Sequence, residues 1–466
     1  MKKLAIIYGQ NVGDMQRLAV KQLTEILLDH TMEYPVCVEY GSSMDVSDFL
    51  CMYVGTRESH PYIREHGGRQ PVHLEGYAIS VKNGEVIIEG GSDAGVIYGV
   101  MDFYNKYLLK LEYPHHPGLF VLPVFEKDLP DFELSSEPKI KDRGLWTWGH
   151  VIYDYRGYID NMMKLKLNTL IMWNDFAPMN AKEIIEYAHE RNVKVIWGFA
   201  WAWDTNCLAF DVDKVKASRG EILEKFEKEY GDLSVDGIYF QSFTEVNVEY
   251  IGGKLIAEAV TEFVNETAAL FFEKYPDMEI QFGLHAESVR NRLEYLKKVD
   301  PRIRIVWENC GAFPFSYIPK DVENFDETCG FVREIAHLRG EEERFGAVTK
   351  GLVKLNWSEF KHLEGPQYIG VSSDWMAKNR IERKHKIWKY IQAYWLAYAD
   401  KAQEMVRLMQ QEKQGDLCVT ALVEDGMFEK EIMYPAALYA EMLWDAEADI
   451  KETLSMVALR EYVTFA

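Results

Sequence analysis

The stretch Asp236-Gly-Ile-Tyr-Phe-Gln-Ser-Phe-Thr-Glu245 decides the fold, because a β-rich apolar run ends there in a carboxylate. Ile238, Tyr239 and Phe240 favour an extended, pleated backbone, and the Asp-Gly pair at the start marks the turn that begins the strand. A glutamate at the carboxyl end of such a strand occupies the position at which a parallel β/α barrel faces its ligand. The stretch therefore predicts a barrel strand that carries Glu245 at its tip.

Seven further short extended runs alternate with helical segments, which is the pattern of a (β/α)8 TIM barrel. The predicted barrel strands are Gly144–Trp148, Thr169–Trp173, Lys194–Phe199, Gly237–Phe243, Glu279–Leu284, Ile303–Trp307, Leu352–Asn356 and Tyr368–Ser372. Helices fit between most of these runs, for example over residues 181–191 and 254–274. We therefore predict an α/β fold with a catalytic barrel over residues 139–380.

The residues on either side of the barrel predict two further regions. Residues 1–126 are expected to form a small α+β domain, because strand-like runs near residues 4–8, 36–41 and 49–54 flank a helical pattern over Met15–Leu28. Within it, Tyr77–Glu89 contains two extended runs joined by Asn83-Gly84, a pair typical of a type I′ hairpin turn. A proline-rich connector follows, and residues 381–466 are predicted to be a helical C-terminal region.

Composition excludes several classes of partner. The 466-residue chain has 74 acidic and 52 basic residues, and its net charge of −22 would repel nucleic acid and anionic membranes. It has no run of about 18 apolar residues that could cross a membrane. The six cysteines show no CxxC spacing, which indicates a reducing, cytoplasmic location. We expect no metal or organic cofactor, a neutral small ligand or glycan as partner, and a possible homodimer through the helical C-terminal region.

The residues at the ends of the predicted strands indicate what the barrel binds. All these ends open on one face, and nine of the twelve tryptophans lie in or just after the strands. Indole rings stack on the C–H faces of sugars while polar neighbours bind hydroxyl groups, so this composition favours a carbohydrate ligand. Trp197, in mid-strand, is expected to fill the barrel instead. The candidate binding residues are Trp146, Trp148, His150, Trp173, Asn174, Asp175, Trp201, Trp203, Gln241, His285, Glu287, Trp307, Trp357, Asp374 and Trp375.

Two carboxylates meet the chemical requirement of glycoside cleavage. That reaction needs a carboxylic acid to protonate the leaving oxygen and, in most enzymes, a second carboxylate as nucleophile or base. Glu245 and Glu308 end predicted strands that are two apart, so they can face each other across the mouth of the barrel. Glu359 and Asp374 are alternatives for the second carboxylate.

Several motifs resemble those of known glycoside hydrolases. The run Tyr77-Ala-Ile-x-Val-x-Asn-Gly-x-Val-x-Ile-x-Gly90, followed by Ser92-Asp-Ala-Gly-x-x-Tyr-Gly99, resembles the non-catalytic domain that precedes the barrel in family 20 β-hexosaminidases and family 67 α-glucuronidases. Arg143-Gly144 resembles the Arg-Gly start of the hexosaminidase barrel, and this implies that Arg143 binds sugar hydroxyls. Met162-Met-Lys-Leu-Lys-Leu-Asn-Thr-Leu170 resembles the segment that leads into the second strand of those barrels.

The resemblance implies an exo-acting glycosidase with Glu245 as the general acid. The hexosaminidase pattern has an Asp before that Glu, and this chain has Thr244, so it departs from the substrate-assisted hydrolysis of N-acetylhexosaminides. An α-glucuronidase-like mechanism is the closer chemical analogue, and it makes Glu308 the base. A uronate substrate would need a cation such as Arg143 or Lys354 near its carboxylate.

Two alternatives come from other functional classes. One is a carbohydrate-binding protein that keeps the fold and the aromatic residues but has lost catalysis. The other is a lyase or metal-assisted hydrolase that uses His150, His285, Asp175 and Asp204, although the HxH and HExxH spacings typical of metal sites do not occur.

Overall fold

We describe the protein from a computed structural model, whose internal contacts divide the chain into two compact units. The N-terminal unit comprises Met1–Lys139, Glu190–Asn192 and Lys451–Val463, and the barrel unit comprises Ile140–His189, Val193–Ile450 and Thr464–Ala466. The structure describes residues 3–112, 129–201, 212–242, 249–251, 253–285, 291–308, 313–315, 324–340, 343–352, 364–371, 374–413, 415–423 and 428–466.

A six-stranded sheet organises the N-terminal unit. Its strands are β1 (Lys3–Tyr8), β2 (Val36–Glu39), β3 (Phe49–Gly55), β4 (Tyr77–Lys82), β5 (Glu85–Gly90) and β6 (Phe132–Ser136), in the order β2-β1-β3-β5-β4-β6. The first four strands of that order run parallel, whereas β4 pairs antiparallel with β5 and β6. Asn83 and Gly84 have φ of 52° and 79°, and these positive angles confirm the predicted type I′ hairpin between β4 and β5.

Helices cover this sheet, so the predicted α+β architecture is confirmed. They are α1 (Asp14–Thr31), α2 (Pro61–His66), α3 (Asp93–Asp102), the π-helical turn Phe103–Leu108 and α4 (Leu109–Glu112). Helix α3 begins just after Ser92 and packs very closely on the sheet, because a Cβ added at Gly99 would lie 2.9 Å from Ile88. Strand β6 belongs to the same sheet, and this extends the sheet beyond the predicted limit at residue 126.

A closed barrel of eight parallel strands forms the core of the barrel unit, as predicted. In barrel order from the first strand, they are β7 (Asp142–Trp148), β8 (Thr169–Trp173), β9 (Lys194–Ala200), β10 (Gly237–Gln241), β13 (Glu279–His285), β14 (Arg304–Glu308), β15 (Phe345–Thr349) and β16 (Leu417–Leu422). The short strands β11 (Tyr250–Ile251) and β12 (Lys254–Leu255) pair with each other after the fourth barrel strand. β17 (Ile432–Met433) and β18 (Val463–Thr464) are also two residues long.

Helices follow most of the barrel strands. They are α5 (Tyr155–Lys164), α6 (Ala181–His189), α7 (Val212–Tyr230), α8 (Ile256–Lys274), α9 (Leu293–Leu296), α10 (Phe325–Ala336), α11 (Asp374–Ala397), α12 (Ala399–Glu412) and α13 (Tyr434–Trp444). The last helix, α14 (Ile450–Ala458), belongs to the N-terminal unit from Lys451 onward. Apolar side chains at helical spacing produce this layer; in α5, for example, Tyr158, Ile159 and Met162 are buried. No helix in the described ranges is long and apolar enough to cross a membrane.

The seventh and eighth barrel strands differ from the predicted ones. The seventh is Phe345–Thr349 rather than Leu352–Asn356, and the eighth is Leu417–Leu422 rather than Tyr368–Ser372. Strand β16 pairs with β15 on one side and with β7 on the other, so it closes the barrel. The barrel therefore continues past residue 380, and the predicted helical C-terminal region contains one of its strands.

A network of charged side chains fills the amino-terminal end of the barrel. Arg304, which has no solvent exposure, donates to Glu279 at 3.0 Å, to Asp416 at 2.9 Å and to Asp142 at 3.5 Å. Lys194 donates to Asp142 at 2.7 Å. Burial opposes ionisation of Asp416, but the nearby arginines outweigh it and hold the pKa of that carboxyl well below its ordinary value. The amino-terminal end of the barrel is therefore filled by ion pairs rather than by apolar side chains.

Candidate active site at the barrel mouth

Three tryptophans and a tyrosine form an aromatic wall inside the carboxyl end of the barrel. Because side chains alternate along a strand, Trp146 and Trp148 of β7, Trp173 of β8 and Tyr239 of β10 can meet there. The centroids of Trp146 and Trp148 lie 4.7 Å apart at 83°, an edge-to-face contact. Tyr239 lies 5.9 Å from Trp146 and 6.3 Å from Trp173. Three predicted binding residues thus come together, and Tyr239 lies between them and Glu308.

Glu308, the last residue of the sixth strand, is the carboxylate of this region. The residue is 2% exposed, and the groups that bind it come from the fourth strand, two strands away, and from the position just after the seventh strand. Oε1 accepts hydrogen bonds from the Tyr239 hydroxyl and from Gln241 Nε2, the latter at 2.6 Å. Oε2 accepts from Lys350 Nζ at 2.5 Å. The carboxylate therefore has a cation on one oxygen and two neutral donors on the other.

The partners of Glu308 keep it ionised. Burial raises the pKa of the Glu308 carboxyl, but the Lys350 ammonium and the hydrogen bonds outweigh burial and hold that pKa below its ordinary value. Burial, together with the charge of Glu308, raises the pKa of the Tyr239 hydroxyl well above its ordinary value, so Tyr239 remains a proton donor. The mouth therefore contains an ionised carboxylate, Glu308, next to the aromatic wall.

A glycine leaves the space in which Tyr239 and Glu308 meet. Gly283 lies on the fifth strand, beside both side chains. A Cβ added at this position would collide with the Tyr239 hydroxyl and would lie 2.7 Å from Glu308 Oε1. The neighbouring His285 pairs in register with Glu308 and is half-buried, so its imidazole belongs to the same end of the barrel. Gly283 is thus required for the hydrogen bond that fixes Glu308.

Other predicted residues lie around this mouth without direct contact to Glu308. Asn174 is 1% exposed, and its amide side chain finds no hydrogen-bond partner in the described part of the chain. The indole N–H of Trp146 also lacks a partner there. His150, in the turn Gly149–Val151, and Asp175 are both half-buried. Buried polar atoms without protein partners are uncommon, and these three atoms of Trp146 and Asn174 have hydrogen-bonding capacity that a ligand or water could satisfy.

Two tryptophans that were predicted to bind ligand lie outside the barrel wall. Trp201 stacks on Phe240 with a centroid separation of 3.7 Å, and it also packs on Phe271 of helix α8. Trp307 packs on Phe315 and on Phe331 of helix α10. Both indoles are fully buried between strands and helices, so the prediction that they bind ligand is wrong. Trp197 stacks on Tyr230 of α7, so it also fills the strand–helix layer rather than the barrel interior.

Arg143 lies at the end of the barrel opposite to the mouth. It is the second residue of β7, is fully buried, and donates to the carbonyl oxygens of Ile140, Lys141 and Lys166. These contacts account for the guanidinium, so its predicted role in binding sugar hydroxyls is wrong. Asp374 and Trp375 begin helix α11 rather than ending the eighth strand.

The remaining candidates lie outside the described residues. They are Glu245, Trp203, Glu287 and Trp357, together with the alternative base Glu359, the possible uronate partner Lys354, and Asp204. Within the described ranges, no group of three or more His, Cys, Asp or Glu side chains is arranged to hold a metal ion.

Comparison with solved structures identifies similar folds. No protein-family model matches the chain. A GH138 enzyme targeting pectin rhamnogalacturonan II is similar with a TM-score of 0.55 and 11% identity, over 97% of this chain and 65% of that one. CpGH84B gives 0.56 and 13%, over 98% and 70%. A β-N-acetylhexosaminidase from Bacteroides fragilis NCTC 9343 gives 0.50 and 13%, over 95% and 87%. At these identities the likeness establishes a fold shared with glycoside hydrolases.

Tyr239 and Lys350 belong to the site but are not among the residues predicted from the sequence. The sequence predicts Tyr239 only as part of a strand. It lies two residues before Gln241, so both side chains point to the same face of that strand, the barrel interior. Lys350 follows the seventh strand, whose position was predicted wrongly, so its place at the mouth could not be inferred. The run Phe345-Gly-Ala-Val-Thr349, which ends just before a lysine, is the signal that would have found it.

A third group outside the predictions is Glu429, which follows the eighth strand. It is 5% exposed; Oε1 accepts from the backbone N–H of Tyr153 at 2.9 Å, and Oε2 finds no partner among described residues. Burial raises the pKa of Glu429 to about 7. This carboxyl therefore joins the segment after the eighth strand to the segment after the first. With this raised pKa, Glu429 changes its protonation state near neutral pH.

Proposed function

We propose that the protein is an exo-acting glycoside hydrolase that binds a sugar at the barrel mouth. The observation that carries the proposal is Glu308, an ionised carboxylate at a strand end, joined through Tyr239 to a wall of tryptophans. The wall offers faces for sugar C–H groups, and Glu308 offers the negative charge that an oxocarbenium-like transition state needs. The shared fold of known glycoside hydrolases supports the same class of reaction.

In the proposed reaction, Glu308 is the nucleophile or the base. A general acid protonates the glycosidic oxygen while the bond to the anomeric carbon breaks. Glu308 then either forms a bond to that carbon, which water later hydrolyses, or takes a proton from the water that attacks it. Lys350 and Tyr239 are positioning residues, because they hold Glu308 deprotonated and in one orientation. Glu245 remains our prediction for the acid.

The charges at the mouth favour a neutral sugar over a uronate. Lys350 lies 2.5 Å from Glu308, so its charge is already compensated. Arg143, one of the two cations considered for a uronate carboxylate, lies at the other end of the barrel. Of the two specificities suggested by the motifs, the glucuronidase-like one therefore lacks Arg143 as a partner for the uronate carboxylate. The hexosaminidase-like one lacks the Asp that Thr244 replaces, so we propose a neutral glycoside without naming the sugar.

The test is a panel of nitrophenyl glycosides that includes neutral hexosides, N-acetylhexosaminides and uronides. Wild type, Glu308→Gln and Glu245→Gln are compared, with Glu429→Gln as a matched buried carboxyl near the mouth. We expect at least one substrate to be cleaved, activity to fall by about 10²-fold or more in the first two variants, and the control to retain it. Cleavage of no glycoside, or full activity in Glu308→Gln, would refute the proposal. The anomer that NMR detects first distinguishes nucleophile from base.

One observation favours a second candidate, a carbohydrate-binding protein without catalysis. Both oxygens of Glu308 are bonded to protein groups and the residue is only 2% exposed, as in a structural ion pair. This candidate predicts sugar affinity that survives in Glu308→Gln, and no turnover of any glycoside. Calorimetric titration of wild type with the products of the panel, in parallel with the activity assay, separates the two.

A further inference from the structure

Residues 364–371, which we name the strap, lie along the segments that follow the first two barrel strands. Gly370 N–H donates to the Ile152 carbonyl at 3.1 Å, and Tyr155 N–H donates to the Gly370 carbonyl at 3.0 Å. Asp154 and Val371 form an antiparallel bridge. Farther along, the side chain of Asn180 exchanges two hydrogen bonds with the backbone of Ile369. The strap is therefore fixed to the rim of the barrel mouth.

The strap and the first turn of α11 carry exposed aromatic and apolar side chains. Tyr368 is 59% exposed, Val371 is 55% exposed and Trp375 is 74% exposed. Asp374, beside Trp375, receives Lys430 Nζ at 2.6 Å, and Lys430 also lies 3.6 Å from Asp154. This ion-pair network fixes the start of α11 to the segments after the first and eighth strands. Large exposed side chains on a rigid support are typical of binding surfaces.

The strap is hydrogen-bonded to the segment that directly follows the aromatic wall. Val151 is packed in the cluster that contains Trp146, Trp148 and Trp173. The next residue, Ile152, accepts the hydrogen bond from Gly370 of the strap. One peptide unit thus separates a residue that touches the wall from a residue that touches the strap.

We propose that Tyr368, Val371 and Trp375 form a platform for the sugar units of a glycan chain that lie next to the unit held in the mouth. The inference rests on the proposed function for its orientation, since the mouth is taken as the place of the terminal sugar. Exposed Tyr and Trp rings offer stacking faces, and Asp374 and Lys430 beside them offer partners for hydroxyls. Because the strap is already ordered by hydrogen bonds, binding would not require it to become ordered.

A second copy of the chain is a weaker occupant for the platform. Stable protein interfaces bury about 1,200–2,000 Å² and have few charged residues at their centre. Here the exposed Trp375 directly follows Asp374, whose side chain is 80% exposed and is paired with the charged Lys430. Charged groups interleaved with aromatic rings suit a polyhydroxy chain better than an apolar partner surface.

The experiment compares wild type with Trp375→Ala and Tyr368→Ala, and uses Tyr390→Ala as the control. Tyr390 lies on the same helix α11 and is 40% exposed, but it is fifteen residues beyond Trp375 along the chain. Calorimetry measures the dissociation constants of chitotetraose, xylotetraose and a rhamnogalacturonan tetrasaccharide. The same variants are assayed on a nitrophenyl monoglycoside, and sedimentation velocity measures self-association. Circular dichroism checks that each variant is folded.

We expect one of the tetrasaccharides to bind wild type, and its affinity to fall about tenfold in Trp375→Ala and Tyr368→Ala but not in Tyr390→Ala. Hydrolysis of the monoglycoside should be unchanged in all three. If wild type cleaves no glycoside but the variants still lose tetrasaccharide affinity, the platform stands and the proposed function fails. Equal affinity in all four proteins would overturn the platform. So would millimolar or absent affinity of wild type, or a dimer that Trp375→Ala dissociates without any effect on glycan binding.

Discussion

Replacement of Lys350 by methionine is the sharpest test of how Glu308 is held. Methionine keeps the unbranched shape and removes the charge. The side chains of Lys350 and Glu308 are 5% and 3% exposed, so the variant leaves a carboxylate buried without its cation. Loss of one member of a buried pair costs about 3–5 kcal/mol of unfolding free energy. We expect a loss of that size at neutral pH, together with loss of glycosidase activity, because Glu308 would take up a proton.

The pH dependence of this loss has a definite sign. In wild type the pKa of Glu308 lies below its ordinary value, so its contribution to stability is present above the unfolded pKa and is lost as pH falls through the folded pKa. Without Lys350, burial is opposed by hydrogen bonds alone, and we expect the pKa to rise above its ordinary value. The difference in stability between wild type and Lys350→Met should therefore be largest at neutral pH and should shrink towards about pH 4.

The assay is urea unfolding followed by tryptophan fluorescence, in a double-mutant cycle with Glu308→Gln. In the Glu308→Gln background, Lys350→Met should cost less by at least about 2 kcal/mol, since no buried charge is left unpaired. Lys166, which donates to Glu441 at 2.8 Å and is also fully buried, provides a matched pair away from the mouth. Lys166→Met should lose stability but keep kcat. Equal costs of Lys350→Met in both backgrounds would refute the reasoning.

Three further predictions concern the surroundings of Glu308. Gly283→Ala should cost about 1–3 kcal/mol in urea unfolding and reduce kcat, because the new methyl displaces Tyr239 and Glu308, whereas Gly330→Ala, with open space around it, should not. Tyr239→Phe should raise the pKa that governs the acid limb of kcat/KM against pH; an unchanged limb would contradict the assigned hydrogen bond. Glu429 has a raised pKa of about 7, so wild type should lose up to about 3 kcal/mol relative to Glu429→Gln between pH 5 and 8, and parallel pH profiles of the two would contradict this.

The alternation of side chains explains which of the predicted tryptophans face the barrel interior. On β14, Arg304 and Glu308 point into the barrel, so the adjacent Trp307 must point outward. On β9 and just after it, Trp197 and Trp201 share the outward parity. Proximity to a strand end therefore identified candidate residues, but only parity decides whether a candidate faces a ligand. Trp146, Trp148 and Trp173 meet both conditions.

The missed strands have a different cause. Eight extended runs occur before residue 373, and eight strands are enough to close a barrel. The apolar run Leu417–Leu422 therefore falls within the predicted helical region, although it is the eighth strand. Extended runs such as Tyr368–Ser372 have the composition of a strand but, in the structure, the described part of this segment is the strap, bonded to other loops instead of to the barrel. Local composition indicates an extended backbone, and only the pairing partner decides whether that backbone belongs to a sheet.

The two ends of the barrel show why the mouth, and not the amino-terminal end, is the place for chemistry. At the amino-terminal end, Arg304 is shared by three carboxylates and by backbone carbonyls, so that its hydrogen-bonding capacity is used within the protein. At the mouth, Glu308 has one cation, while the indole N–H of Trp146, in the wall that Tyr239 joins to Glu308, finds no partner among the described residues. Unused polar capacity close to an ionised carboxylate is what a ligand can satisfy, whereas the donors of Arg304 are already occupied by protein groups.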